Sequence, residues 1–188
     1  NSSTGGAVVV HSKATNTWIV NNEIFDAATG VVVTDGSLNT WVIGNYIHDI
    51  KHSTWDENWD GSSAYSSGAA IHFRGGPSGG AVNNTLIHID TGIQSVTRDL
   101  VFMNNIITER NVESNYDIHV AISTAVNDIE TNLIYHSNSV PRFRYASSSS
   151  GIYEAPNFQT DSSGINFKTS IDSPAVDAGT NIDYLLDN

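Results

Sequence analysis

The chain has no cysteine, little basic charge and no long apolar run, and each absence excludes a class of protein. Without cysteine, neither a disulfide framework nor a thiolate metal site can form. Only 8 Lys and Arg stand against 20 Asp and Glu, which argues against nucleic acid as a partner because that partner requires a basic surface. No apolar stretch approaches the ~20 residues of a membrane-spanning helix. The sequence therefore predicts neither a nucleic-acid-binding nor a membrane protein.

Helical periodicity is also missing. No long stretch repeats its apolar side chains at intervals of three and four residues. The apolar runs are short and rich in β-branched and aromatic residues, which is typical of strands, and turn-forming Asn, Asp, Gly, Ser and Thr separate them. We therefore predict an all-β fold in a single domain that spans residues 1–188.

Two segments near the start of the chain are almost copies of each other. Residues 16–26 read NTWIVNNEIFD and residues 39–49 read NTWVIGNYIHD, an ungapped offset of 23 residues. A fixed period of this length marks a solenoid, in which each repeat forms one coil. Because the repeat contains short strands and lacks the leucine-rich spacing, it predicts a parallel β-helix. The chain length then corresponds to about six to seven coils.

An asparagine followed two residues later by Ile or Leu recurs along the chain. The pairs are Asn22/Ile24, Asn45/Ile47, Asn84/Leu86, Asn105/Ile107 and Asn132/Ile134. Neighbouring coils lie about 4.8 Å apart, so we expect each side-chain amide to bond to the next in a ladder and to hold the turn. The step from residue 45 to residue 84 exceeds the 23-residue period by 16 and indicates an insertion at residues 50–68.

These motifs, with strands that open after a glycine, resemble the right-handed parallel β-helix, or pectate-lyase-like, superfamily. Residues 172–180 read DSPAVDAGT, which resembles the SPA(I/V)DAG sequence that closes many secreted bacterial β-helix proteins. The resemblance covers nearly the whole chain but identifies no specific family. It implies a right-handed parallel β-helix, a secreted bacterial protein and a polysaccharide as partner.

Strand-like sequence begins almost at once, at residue 7, and this bears on the two ends of the solenoid. An open end exposes apolar side chains and unpaired backbone groups. We therefore expect missing N-terminal coils or a partner chain to cover the start, and the chain to be the C-terminal part of a longer β-helix. The alternative is that residues 1–6 themselves cover the open end. Residues 151–188 are expected to form the terminal coil and cap.

The insertion combines aromatic and acidic side chains, reading KHSTWDENWDGSSAYSS from residue 51. Aromatic faces and carboxylate acceptors suit a carbohydrate site, although the same side chains could fold back onto the coil. The predicted sugar contacts are Trp55, Trp59 and Tyr65. Closely spaced oxygen donors also make Ca²⁺ a candidate cofactor, without matching the EF-hand pattern. The candidate metal ligands are Asp49, Asp56, Glu57 and Asp60.

Basic side chains bracket the insertion. His72 and Arg74 are two residues apart on a predicted strand, so both should point outward if their neighbours face the core. In the superfamily, lyases remove the C5 proton of a uronate sugar with a base, while calcium or a basic group neutralises the uronate carboxylate. The candidate catalytic residues are His48, Lys51, His72 and Arg74, and Arg98 and Arg110 are further candidates for substrate binding.

The predicted function is cleavage of an acidic polysaccharide by β-elimination. One alternative is a glycoside hydrolase with paired carboxylates, although the polygalacturonase signatures NTD, DD and GHG are absent. The other is a non-catalytic module that binds glycans or adheres. Trp18 and Trp41 lie one coil apart and serve either as core residues or as a platform for sugar rings.

Overall fold

A computed structural model describes residues 6–11, 13–34, 36–51, 68–76, 78–111, 116–120, 127–144, 151–161, 164–176 and 178–179. Strands are the regular elements throughout these ranges, so no helix in them has the length and hydropathy to cross a bilayer. Sixteen strands form three parallel sheets, named A, B and C here, and two more form an antiparallel hairpin.

The strands pass from sheet A to sheet B to sheet C and back. Sheet A contains β1 (Val8–Val10), β4 (Val31–Val33), β7 (Ala69–Phe73), β10 (Thr91–Ser95), β13 (Ile118–Val120) and β16 (Phe143–Arg144). Sheet B contains β2 (Thr15–Val20), β5 (Leu38–Ile43), β8 (Gly79–Val82), β11 (Leu100–Met103) and β14 (Asn127–Glu130). Sheet C contains β3 (Glu23–Ala27), β6 (Tyr46–Ile50), β9 (Thr85–Ile89), β12 (Ile106–Arg110) and β15 (Leu133–Tyr135). The hairpin consists of β17 (Phe158–Asp161) and β18 (Gly164–Thr169).

This order confirms the predicted all-β parallel β-helix. Strands β1–β3 form coil 1, β13–β15 form coil 5, and β16 begins a sixth, so the described strands make fewer coils than the six to seven predicted. The difference arises because β17 and β18 pair with each other in antiparallel fashion instead of continuing the solenoid. The prediction of six to seven coils divided the whole chain length by the 23-residue period, and the connection between β6 and β7 is longer than that period allows.

The core is the inside of the solenoid, filled by alternate side chains of all three sheets. In sheet C the inward column consists of Ile24, Ile47, Leu86, Ile107 and Ile134, and each of them is buried. The ungapped repeat lies in register as expected, with Trp18 opposite Trp41. Since a strand alternates its side chains between two faces, the residues beside this column form the outer surface.

The corner between sheets B and C is identical in length in every coil. It has two residues, and the first has a left-handed φ of 50 to 64° in all five coils. The second is the repeated asparagine, whose Oδ1 accepts the backbone N–H and the Nδ2 of its equivalent in the preceding coil at 2.9–3.0 Å. From coil 2 onward Nδ2 also donates to a carbonyl of the preceding coil at 2.8 Å. The predicted asparagine ladder is thus confirmed.

Trp18 and Trp41 lie on the outer face of sheet B, because the residues that follow them, Ile19 and Val42, belong to the core. Their surroundings differ. Trp41 is only 7% exposed, packs in a small outer cluster with Val82 and Met103, and donates from Nε1 to the Oδ1 of Asn39 at 2.7 Å. Trp18 is 48% exposed. The pair therefore belongs to the outer surface of the coil, and Trp41 is covered there.

Candidate functional site

Six side chains meet on the outer face of sheet C, and we call them the His48 cluster. They are Glu23, Phe25, Tyr46, His48, Asp49 and His88. Alternation along β3 and β6 turns the first four outward, since Ile24 and Ile47 point inward. Asp49 also faces outward because its left-handed φ of 52° interrupts the alternation directly after His48.

Acids and imidazoles alternate through the cluster. The Nδ1 of His48 lies 2.7 Å from Oδ2 of Asp49, and its Nε2 lies 3.3 Å from Oε1 of Glu23. The second oxygen of Asp49, Oδ1, lies 3.5 Å from Nδ1 of His88. A carboxylate can only accept, so the shorter contact makes Nδ1 of His48 the donor to Asp49. Glu23 also can only accept, so its contact with Nε2 is a hydrogen bond when that nitrogen carries a proton as well.

Two aromatic rings hold the imidazole of His48. Phe25, one coil away in the same column, stacks at a centroid distance of 5.2 Å and an interplanar angle of 9°. Tyr46, two residues earlier on the same strand, stacks at 4.3 Å and 21°. The side chain of His48 is 16% exposed, whereas Phe25 is 56% exposed. The imidazole is therefore fixed in orientation, and an exposed aromatic face lies beside it.

Two pKa values in the cluster are shifted, and in opposite directions. The hydrogen bond from His48 lowers the pKa of Asp49, aided by the charges of His48, His88 and Lys51 and opposed by partial burial. Burial raises the pKa of Tyr46 above its ordinary value, and the nearby carboxylates of Asp49 and Glu23 raise it further. Asp49 is therefore an anion at neutral pH, and the phenol of Tyr46 stays protonated.

The structure brings three of the predicted site residues together and leaves six outside the described ranges. His48 and Asp49 are in contact, and Lys51 follows β6, exposed and close enough for its charge to lower the pKa of Asp49. The predicted residues outside the described ranges are Trp55, Asp56, Glu57, Trp59, Asp60 and Tyr65. Among the described residues no group of three or more His, Asp or Glu could hold a metal ion, and three of the four candidate calcium ligands lie outside those residues.

His72 and Arg74 belong to sheet A and its following turn, away from the strands that carry the His48 cluster. His72 lies between Val32 and Gln94 in register, on the face opposite to the core residues Ile71 and Phe73. It points outward as alternation predicts, yet it is only 2% exposed. Arg74 is half-buried. Facing away from the core therefore does not make His72 accessible to solvent.

The two predicted arginine contacts have different surroundings. The guanidinium of Arg98 is exposed and lies 3.8 Å from Asp99. The side chain of Arg110 is fully buried, with Nε 3.3 Å from Oδ1 of Asp117, and it donates from Nη2 to the carbonyl of Val140 at 2.9 Å. Arg110 has no surface available to a polysaccharide in this arrangement, and it ties the last coils together.

Asp117 is the centre of this buried network. Its Oδ1 lies 2.7 Å from Nε2 of His136, and its Oδ2 accepts the backbone N–H of Arg142 at 2.8 Å. The Nδ1 of His136 accepts the backbone N–H of Arg110 at 3.2 Å, so His136 donates to Asp117 from Nε2. The carboxylate thus has an ion pair with Arg110 and hydrogen bonds from His136 and from the backbone of Arg142, and such pairing is the condition for keeping a charge inside a protein.

The sequence analysis did not identify Glu23, Phe25, Tyr46 or His88 as site residues. The available signal was the 23-residue register, which sets position 23 beside 46 and position 25 beside 48. In that register the outward positions 23 and 25 place an acid and an aromatic ring beside His48.

No family model, curated protein or solved structure matches the chain. The fold and the geometry of the site therefore carry the functional argument alone.

Proposed function

We propose that this protein acts on a polysaccharide bound across the outer face of sheet C, and that His48 is the base of a β-elimination. The observation that carries the proposal is the fixed imidazole, with Nδ1 held by Asp49 at 2.7 Å and its ring stacked on Tyr46 and Phe25. A carboxylate that holds Nδ1 in this way leaves proton transfer to the opposite nitrogen, Nε2, which lies 3.3 Å from Oε1 of Glu23.

In the proposed step, Nε2 of His48 removes the proton from C5 of a uronate residue. The electron pair of that bond forms the C4=C5 double bond, the C4–O4 bond breaks, and the imidazolium returns the proton to the leaving oxygen. Glu23 lies beside Nε2, but its side chain is 62% exposed and can move aside when the sugar binds. Tyr46, which keeps its proton, serves as a hydrogen-bond donor to the sugar.

Acidity of the C5 proton depends on neutralising the uronate carboxylate. Lys51 and His88 are the cationic candidates, since both are close enough to Asp49 to affect its pKa. The exposed ring of Phe25 offers an apolar face for a neighbouring sugar ring. The parallel β-helix is consistent with the pectate-lyase-like superfamily, and that assignment and the secreted bacterial type are part of this proposal.

A second reaction, glycoside hydrolysis, is favoured by one specific observation. Two exposed carboxylates, Glu23 and Asp49, lie on opposite sides of the His48 imidazole. Hydrolysis requires two carboxyl groups, one as acid and one as base or nucleophile, and does not require a cationic partner for the substrate. The excess of acidic over basic residues in the whole chain, 20 against 8, suits a neutral glycan better than an anionic one.

The test is a screen of alginate, pectate, chondroitin and ulvan for the ultraviolet absorbance of the unsaturated product. We expect His48→Asn to lose this signal and His11→Asn, the same change at an exposed histidine next to sheet A, to keep it. Parallel reactions with calcium and with chelator test the metal. Release of reducing sugar without absorbance would replace elimination by hydrolysis, and binding without either product would leave a non-catalytic module.

A further inference from the structure

The segment of residues 137–142 joins β15 to β16, and polar side chains at the end of β12 hold its first half. The carboxylate of Glu109 accepts the backbone N–H of Ser137 at 3.3 Å and its hydroxyl at 3.0 Å. The guanidinium of Arg110 donates to the carbonyl of Val140 at 2.9 Å. Because Val140 is 72% exposed, these polar contacts and not the burial of its side chain fix this part of the segment.

Asp117 holds the other end of the segment. Its backbone N–H donates to the carbonyl of Arg142 at 3.0 Å, and its Oδ2 accepts the backbone N–H of the same residue at 2.8 Å. Its other oxygen, Oδ1, lies 3.3 Å from Nε of Arg110 and 2.7 Å from Nε2 of His136. The guanidinium of Arg142 lies over the ring of Tyr116, 5.1 Å from its centroid. One carboxylate thus connects the end of the segment to Arg110 and His136.

The geometry of this network requires a neutral ring at His136. A backbone N–H can only donate, so Nδ1 accepts from Arg110 at 3.2 Å only while that nitrogen carries no proton. The single ring proton is then on Nε2, which donates to Asp117. Both ring nitrogens are therefore engaged, and the side chain is only 2% exposed. A second proton on the ring would break the bond from Arg110 and would lack an acceptor.

The charges around the ring also oppose a second proton. Asp117 is the anion in contact with His136, but its charge is already paired with the buried guanidinium of Arg110. Glu109 is the other anion of the network and bonds to the start of the segment, and Arg142 is the other cation. These four charges balance while the ring is neutral. A proton on His136 would therefore add an uncompensated positive charge to a buried site.

We propose that His136 makes the attachment of the 137–142 segment sensitive to acid, so that protonation of its ring releases the segment from coils 4 and 5. While the segment is attached, the ring has no acceptor for a second proton. Once the segment has separated, the ring is in water, where an imidazole takes up a proton near pH ~6.5. Because the open form then binds more protons than the closed form, acid shifts the equilibrium towards it. This property does not depend on the function proposed for the His48 cluster.

Amide hydrogen exchange at about pH 7.5 and about pH 5, corrected for the intrinsic effect of pH on the rates, provides the test. An imidazole that titrates only in the open form changes the opening equilibrium by at most about 30-fold over this range. We expect the protection of the 137–142 segment and of the Arg110 amide to fall by about tenfold, while that of β8 stays unchanged. His136→Gln, whose amide does not titrate, should show equal protection at both pH values. The control His88→Gln, at an exposed histidine, should behave as the parent chain does.

Three exchange results would overturn the proposal. Equal acid sensitivity in the parent and in His136→Gln would mean that another group titrates. Equal protection of the parent segment at both pH values would mean that acid does not open it, and an equal loss of protection in β8 would mean that the whole solenoid opens. Nitrogen NMR of the His136 ring in the parent chain gives a test that needs no variant. At about pH 7.5 it should show a proton on Nε2 and none on Nδ1, and a proton on Nδ1 would also refute the proposal.

Discussion

Replacing Asn105 with alanine should destabilise the protein severely, because its side chain joins three coils. Its Nδ2 donates to the carbonyl of Ala81 and to Oδ1 of Asn132, and its Oδ1 accepts the backbone N–H and the Nδ2 of Asn84. Asn105 is 0% exposed. The substitution removes all four bonds and leaves three buried groups short of a partner: the Ala81 carbonyl, the Asn84 N–H and the Asn84 amide.

Each buried polar group that loses its partner costs about 1–3 kcal/mol. Three such groups predict a loss of about 3–9 kcal/mol in the free energy of unfolding, a large share of the ~5–15 kcal/mol of a typical domain. The assay is urea denaturation followed by tryptophan fluorescence, with the free energy taken from the linear extrapolation.

Asn22→Ala is the matched control, because it makes the same change in the same motif at the exposed end of the ladder. Asn22 loses its bonds to the Val20 carbonyl and to Oδ1 of Asn45, while Asn45 keeps the backbone N–H of residue 22. We expect a loss of at most about 1 kcal/mol. An Asn105→Ala protein no less stable than the Asn22→Ala protein would refute the claim that the ladder stabilises the coils.

Two further predictions concern ionised groups. Asp117→Asn should lower the free energy of unfolding by about 3–5 kcal/mol in chemical denaturation, because the fully buried guanidinium of Arg110 would lose its counter-charge. The matched change Asp99→Asn, at an exposed ion pair, should alter it by less than about 1 kcal/mol, and similar losses in the two variants would contradict the argument. His48→Asn should raise the pKa of Asp49 towards its ordinary value in an NMR titration of the carboxyl carbon, since the hydrogen bond from His48 is the main cause of the lowered pKa. Because folding lowers this pKa, the ionised Asp49 carboxylate stabilises the protein at pH values above the ordinary pKa, and that stabilisation is lost as the pH falls through the lowered pKa. An unshifted pKa in the variant would show that the contact does not form.

The repeat was sufficient to predict the coil, the register and the ladder. Residues 23 apart in an ungapped copy must stack, so the partner of Asn22 follows directly from the sequence. Alternation also predicted the direction of His72, but not its burial, which depends on what packs over the outer face of sheet A. The repeat period predicts which residues stack in neighbouring coils, but it does not predict what packs over the outer face of a sheet.

The site was only partly predictable for a related reason. The contact between His48 and Asp49 depends on a left-handed residue that turns two successive side chains outward, and strand alternation predicts the opposite. The partners of Arg110 lie in the next coil, outside any regular spacing, so an apparently available cation proved to be buried. Charge pairing between coils of unequal length cannot be read from a period.

The constant corner between sheets B and C determines where this protein can accept new sequence. An extra residue there would shift one ladder asparagine out of line with the coils on both sides, so every coil keeps the same two-residue corner. The corner between sheets C and A has no such constraint, and its length ranges from the single residue 90 to residues 51–68. Foreign loops or recognition peptides should therefore be tolerated after β6, β9 or β12 and rejected before β3, β6 or β9. The corner between sheets B and C is thus fixed in length because it aligns the coils, whereas the corner between sheets C and A varies in length and can accept new binding residues.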